Sequence, residues 1–389
     1  MKKTIILGLV FFMFFNLKTF AQETRAITTA TPFLLIAADA RAAGLADQGV
    51  ATSADAFSQQ WNPAKTVFLK NSQNVGVNYT PYLSSLVNDI FLGNINYAYR
   101  FGEEGRSAVS ASFRYFSLGE IEFRQTADPN EVSNTQKPNE FTFDVSYALK
   151  LSETFSMAVA GRYLRSDLRL QTQDAADATA ASSFGVDIAG FYQSDEIAFD
   201  TFNGRWRAGF NISNIGPKIK YDDAGQESFI PTNFKFGGAF DFIFDEYNKI
   251  TPSIEFNKLL VPSPQDFDGD GIVGNTEEDR QEYESISSFG AIFSSWGDAP
   301  DGFSEELKEF TWSLGAEYMY RDVFAFRAGY FNESEEKGAR KFVSMGAGFK
   351  YSSIGIDLSY LFSTSSIKSP LENTLRFGLT FNFGDEYYD

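Results

Sequence analysis

The chain of 389 residues contains no cysteine and no histidine. Without cysteine there is no disulfide framework, no thiol nucleophile and no residue for a lipoprotein anchor. Without histidine there is no imidazole base, no Ser-His-Asp triad and little scope for zinc. What is left for catalysis is carboxylate-only chemistry, and no constellation of residues argues for it, so the chain reads as a non-enzyme. Long apolar runs are also missing. The longest, Ile5 to Phe15, is shorter than the ~20 residues a membrane-spanning helix needs. It lies between Met1-Lys2-Lys3 and Thr19-Phe20-Ala21, the order of a secretory signal over residues 1–21. Basic charge is scarce: 33 Lys and Arg face 51 Asp and Glu, a net charge of −18. That balance excludes nucleic acid as a partner.

What is abundant is aromatic: 42 Phe and 18 Tyr. Their placement has a period of two. At the end of the chain Leu375, Phe377, Leu379, Phe381 and Phe383 alternate with Arg376, Gly378, Thr380 and Asn382. Phe141, Phe143, Val145, Tyr147 and Leu149 likewise alternate with Thr142, Asp144 and Ser146. A period of two puts one set on each face of a β-strand. A soluble barrel would turn the apolar set inward, and the small polar residues left over could not make its surface. The pattern suits an integral outer-membrane antiparallel β-barrel, with aromatics toward lipid and polar groups toward the lumen. About fourteen such strands run from Asn74–Tyr82 to Asn373–Phe383.

The connections alternate in length. Gly102–Arg106, Leu151–Glu153, Asp245–Glu246, Arg321–Asp322 and Ser352–Ser353 are tight, while Leu118–Asn139, Ser166–Ala181, Ile215–Thr232, Lys258–Glu309, Asn332–Arg340 and Ser363–Glu372 are long. Ser194–Arg205 is an intermediate case on the short side. Short periplasmic turns and long external loops are the rule for such barrels. An even strand count then predicts both termini in the periplasm. The domain plan is a signal peptide (1–21), an N-terminal plug (22–72) and the barrel (73–389), whose longest loop is 258–309.

That loop carries two features. Asp266-Phe-Asp268-Gly-Asp270-Gly271-Ile272-Val-Gly-Asn-Thr-Glu277 matches the full spacing of a twelve-residue calcium loop over 266–277. In it Asp266, Asp268 and Asp270 turn carboxylates toward one point, Ile272 offers its carbonyl and Glu277 closes the shell. A structural Ca2+ is the expected cofactor; the blander reading is an acidic Gly-rich turn. Downstream, Ile286, Phe289, Phe293 and Trp296 are spaced as one face of a short helix, or as an extension of the next strand. With Phe303 they are either packed against the barrel rim or offered to a partner.

Residues 37–69 are not strand-like. They are rich in Ala and Gly, as a segment packed within a lumen requires, or form a periplasmic helix-turn element. Their wording, Asp39-Ala-Arg41-Ala-Ala-Gly44, Gly49-Val50-Ala51, Asp55-Ala56 and Trp61-Asn62-Pro63-Ala64, resembles the N-terminal region of long-chain fatty-acid-transporter-like barrels. Within that superfamily it is most similar to the PorV family of the type IX secretion system. Arg41, Gly44, Trp61, Asn62 and Pro63 carry the motif. The resemblance implies a plugged fourteen-stranded barrel that binds secreted cargo through a C-terminal signal domain. It implies as partners the translocon barrel SprA (Sov) and an attachment complex containing PorU, with outer-membrane lipid around the wall. The alternative is a transporter of long-chain fatty acids or other hydrophobic solutes.

Overall fold

The computed structural model describes residues 25–387, apart from 84–86, 88, 124–133, 169–178, 222–225, 271–272, 275, 366–371 and 373. The signal segment 1–21 and the plug's first residues, 22–24, lie outside the described residues. Fourteen long strands form the wall: β1 (Asn71–Pro81), β2 (Ile90–Phe101), β3 (Ser107–Leu118), β4 (Asn139–Lys150), β5 (Phe155–Asp167), β6 (Ala181–Gln193) and β7 (Asn203–Ile215). There follow β8 (Asn233–Ile243), β9 (Asn248–Leu259), β10 (Thr311–Tyr320), β11 (Phe324–Asn332), β12 (Lys341–Tyr351), β13 (Ile354–Ser363) and β14 (Leu375–Glu386). Each pairs antiparallel with its sequence neighbour, and β1 pairs with β14 in the register Val75↔Phe381, which closes the sheet. Closure leaves no strand edge with unpaired N–H and C=O groups, the condition for crossing lipid with strands. Among the described residues no helix is long and apolar enough to cross a membrane.

Strand β4 shows how the alternation is used. Phe143, Val145 and Tyr147 are 50, 47 and 48% exposed, whereas Thr142, Asp144 and Ser146 between them are at most 2% exposed. Apolar side chains thus make the outside and polar ones the inside. The connections keep the sequence's parity, tight at one end and long at the other. The intermediate one, 194–202, is itself a small hairpin: Ile197–Ala198 pairs with the start of β7.

The lumen is filled by the segment before β1. A 3-10 turn (Pro32–Leu35) leads to α1 (Ala40–Ala43), α2 (Ser58–Trp61) and a second 3-10 turn (Pro63–Phe68). Contrary to what strand parity predicts, the two ends of the described chain do not both lie at the short-turn mouth. Lys70 accepts from Tyr387 N at 2.7 Å, so the entry to β1 and the end of β14 do share the short-turn end. The described N-terminal residues lie at the opposite mouth, where Arg25 N donates to Glu336 O and Ala30 N to Phe229 O, both at 2.9 Å. Strand parity fixes only where the first strand begins; the plug preceding it traverses the barrel and reverses the end at which it starts.

Candidate functional site

The plug docks by polar contacts that the small-residue composition makes possible. Gly44 lies against β12: a Cβ added there would sit 3.0 Å from Gly346 Cα. On the neighbouring strand β11 a Cβ on Gly329 would meet Ala46 N and Leu45 C at 2.6 Å. Glycine at such wall positions lets plug backbone reach wall backbone. Arg41, on α1, is the centre of an ion-pair chain. Its guanidinium lies 2.6 Å from Asp55 and 3.1 Å from Glu317 of β10. Arg327 of β11 then joins Glu317 and Asp357, each at 2.6 Å. Buried charges persist only when paired in this way.

Trp61 is buried beneath the Lys235 ammonium, 4.4 Å from its ring, and its indole N–H donates to Asp39 at 2.5 Å. Asn62 caps the second 3-10 turn by accepting from Ala64 N and donates to Val50 O and to Gly190 O of β6. Pro63 is buried at the first position of that turn, where its missing N–H costs nothing. All five motif residues therefore face one another or the wall. Glu255 of β9 accepts from Gly49 N and Val50 N at 2.8 and 2.9 Å, a contact no local pattern announced.

At the long-loop end, residues 260–310 form a cap of three helices: α3 (Glu277–Ser285), α4 (Ser288–Ser294) and α5 (Phe303–Lys308). The aromatic segment is helical, not a strand extension. Its five candidate contact residues separate. Ile286 turns inward beside Phe229, Val261, Tyr283 and Ala291. Trp296 lies on the rim with its ring 5.7 Å from Phe234. Phe289, Phe293 and Phe303 are 69, 66 and 76% exposed. A cavity of about 640 Å³ opens between α5 and the β11–β12 connection, lined by Phe256, Leu307, Phe310, Trp312 and Glu335 among others.

Beneath α5 lies a buried ionic cluster that the sequence reading missed. Lys258 reaches Glu306 and Glu309, both at 2.6 Å, and Lys337 reaches Glu305 at 2.6 Å and Glu309 at 3.0 Å. Its members come from three separate segments, so no spacing rule could join them. Asp298 sits at its margin. Burial pushes its carboxyl up to about 6, the Ser263 amide opposes this, and Glu309 and Glu306 add to it.

The acidic loop departs from the expected ligand set. Asp266 and Asp268 converge with Asp279, a carboxylate oxygen of each lying within 4.8 Å of the others. Glu277 is the first residue of α3 and faces solvent, paired with Arg280 at 2.9 Å. Asp270 is exposed, its amide donating to Asp266 and Asp268, and Ile272 and Gly271 lie outside the described residues. The reason is the helix start. Thr276 caps α3 by accepting from Asp279 N at 3.2 Å, so Asp279 at the third helical position turns back over the loop. Burial pushes the Asp279 carboxyl up, and the amides of Phe267 and Asp268 outweigh this and hold it below the usual range.

Residues 19–266 match the family model of the type IX secretion system protein PorV. The chain belongs to the PorV family. No protein of curated function matches it by sequence. Among solved structures it is similar to a deletion mutant of TodX, a monoaromatic hydrocarbon channel of Pseudomonas putida. Their identity is 11%, over 88% of this chain and 98% of that one, with a TM-score of 0.51. A FadL homologue of Pseudomonas aeruginosa is 12% identical over 92% and 99% of the two chains, with a TM-score of 0.42. The TodX likeness establishes a shared outer-membrane barrel fold and nothing finer. Family membership and fold are those of a secretion or transport barrel of the outer membrane, not of an enzyme.

Proposed function

We propose that this barrel is the cargo-accepting component of a type IX secretion system. It takes proteins bearing the C-terminal signal domain as they leave the SprA (Sov) translocon and hands them to a PorU-containing attachment complex. Family membership over residues 19–266 carries this reading. The external cap supports it, since Phe289, Phe293 and Phe303 stand exposed there. Aromatic anchors are among the residues on which protein interfaces concentrate their energy. Uptake of fatty acids or other hydrophobic solutes is the second reading, favoured by the fold alone. Against it stands a plug with Arg41, Asn62 and Lys65 buried in the lumen. A strain lacking the protein should retain signal-bearing proteins in the periplasm and still take up long-chain fatty acids. Normal secretion with impaired uptake would reverse the order of the two readings.

A further inference from the structure

We propose that Asp266, Asp268 and Asp279, and not Glu277, bind a divalent cation, calcium in the external medium, that fixes the cap loop onto the start of α3. Three carboxylates whose oxygens lie within 4.8 Å of one another repel unless a cation sits among them. Asp279 supplies the independent sign of a ligand. It is 1% exposed, its Oδ1 accepts from Phe267 N at 2.7 Å, and its Oδ2 is buried with no hydrogen-bond donor. A buried carboxylate oxygen without a partner is costly, and a hard cation removes that cost. Asp266 Oδ1 accepts from Gly269 N at 2.7 Å and Asp268 Oδ1 from Asp270 N at 3.0 Å, which fold the loop around one point. All-oxygen donors of this kind select calcium over transition metals. Magnesium sheds its water reluctantly and should bind more weakly.

The other acidic group of the cap, Asp298, Glu306 and Glu309, is a useful contrast. Lys258 already stands 2.6 Å from Glu306 and Glu309, so that cluster carries its own cation. Among the described residues, no lysine or arginine lies within ion-pair distance of Asp268 or Asp279. What the ion would hold is α3. Tyr283 on that helix donates to Pro262 O at 2.9 Å, and Ile286 at its end packs near Phe229. The helix bearing Phe289 and Phe293 begins two residues later.

The test uses the full chain in detergent, titrated with calcium or magnesium chloride while protease cleavage within 260–309 is followed. Calcium should protect the wild-type loop with a midpoint on the order of 10⁻⁴–10⁻³ M, as in extracellular calcium modules, and magnesium should need more. Asp268→Asn and Asp279→Asn should each raise the midpoint at least about tenfold, the loss of one strong ligand, while Glu277→Gln should stay within about twofold. Asp279 also orders the loop through backbone amides, so Asp266→Asn is the second probe and should behave as Asp268→Asn does. Equal cleavage of wild type with calcium or chelator overturns the site. Loss of protection in Glu277→Gln, with Asp279→Asn unaffected, overturns the ligand set.

Discussion

The plug and the cap are both non-strand segments added to the same barrel, and they resolve their polar groups in opposite ways. In the plug, backbone amides are taken up by wall side chains: Ala40 N by Asn78, Ala46 N by Ser344, Gly49 N by Glu255. Two of its charged side chains reach wall partners, Arg41 to Glu317 and Asp47 to Arg376, while Lys65 donates to Gly49 O and Thr52 within the plug. The cap anchors its charges below, through Lys258 and Lys337, and turns Phe289, Phe293 and Phe303 to the outside. A segment bonded to the wall at Asn78, Ser344, Glu255, Glu317 and Arg376 is a fixed part of the barrel. A segment matched on one side only has a face left for another molecule, which is why cargo contact is proposed at the cap and not at the plug.

The largest effect should come from breaking the plug's central ion pair. Arg41→Ala leaves Asp55 and Glu317 buried with one cation fewer, at a cost of about 3 kcal/mol, the low end for such pairs because Arg327 stays beside Glu317. Ion conductance in planar bilayers should rise as the plug loosens. Conductance unchanged from wild type would mean that the plug is held without this pair.

A smaller effect should follow from crowding the same interface. Gly329→Val places a side chain where 2.6 Å separates it from plug backbone, and overpacking of this kind costs roughly 1–3 kcal/mol. Gly161→Val is the control, since a Cβ there meets nothing within 4 Å. Increased protease access to residues 37–69 in the first variant and not the second is the expected pattern. Equal behaviour of the two would deny the close approach of plug and wall.

In the cap, Asp298 predicts a pH effect of modest size. Its folded pKa of about 6 lies above the ordinary 3.8, so the folded cap binds the proton more tightly than the unfolded one. Cap stability from this group is full below pH ~4, falls as pH rises through ~4–6 and is lost above that window. Asp298→Asn should abolish the slope and improve protease resistance of 260–309 at pH 7.5. Resistance that rises with pH between 4 and 6 in the wild type would give the opposite sign and remove Asp298 as its source.

The barrel was legible because a two-residue period leaves its mark on every strand, and Phe143 and Asp144 report opposite faces from the sequence alone. Loop length reported the ends in the same way. The plug was legible as composition, and Arg41 and Asn62 of its motif bond to Glu317 and Gly190 of the wall. The path of the plug was not legible, because Arg25 meets Glu305 and Glu336 across most of the chain length. Partners such as Arg41 and Glu317 are equally distant. In the acidic loop the twelve-residue spacing pointed to Glu277. What the spacing did not weigh is Thr276-x-x-Asp279, a helix cap that makes Glu277 the first helical residue and sends its side chain outward.

The most direct test of the account is co-purification in mild detergent of the tagged wild type and a variant carrying Phe289→Ser, Phe293→Ser and Phe303→Ser. Exposed positions of this kind tolerate substitution within about 0.5 kcal/mol, so both should fold and insert alike. Secreted proteins bearing the C-terminal signal domain should accompany the wild type and be depleted from the variant, while an Arg41→Ala barrel still retains them. Equal recovery with wild type and cap variant, and loss only when the plug is disturbed, would contradict the assignment of cargo contact to the cap.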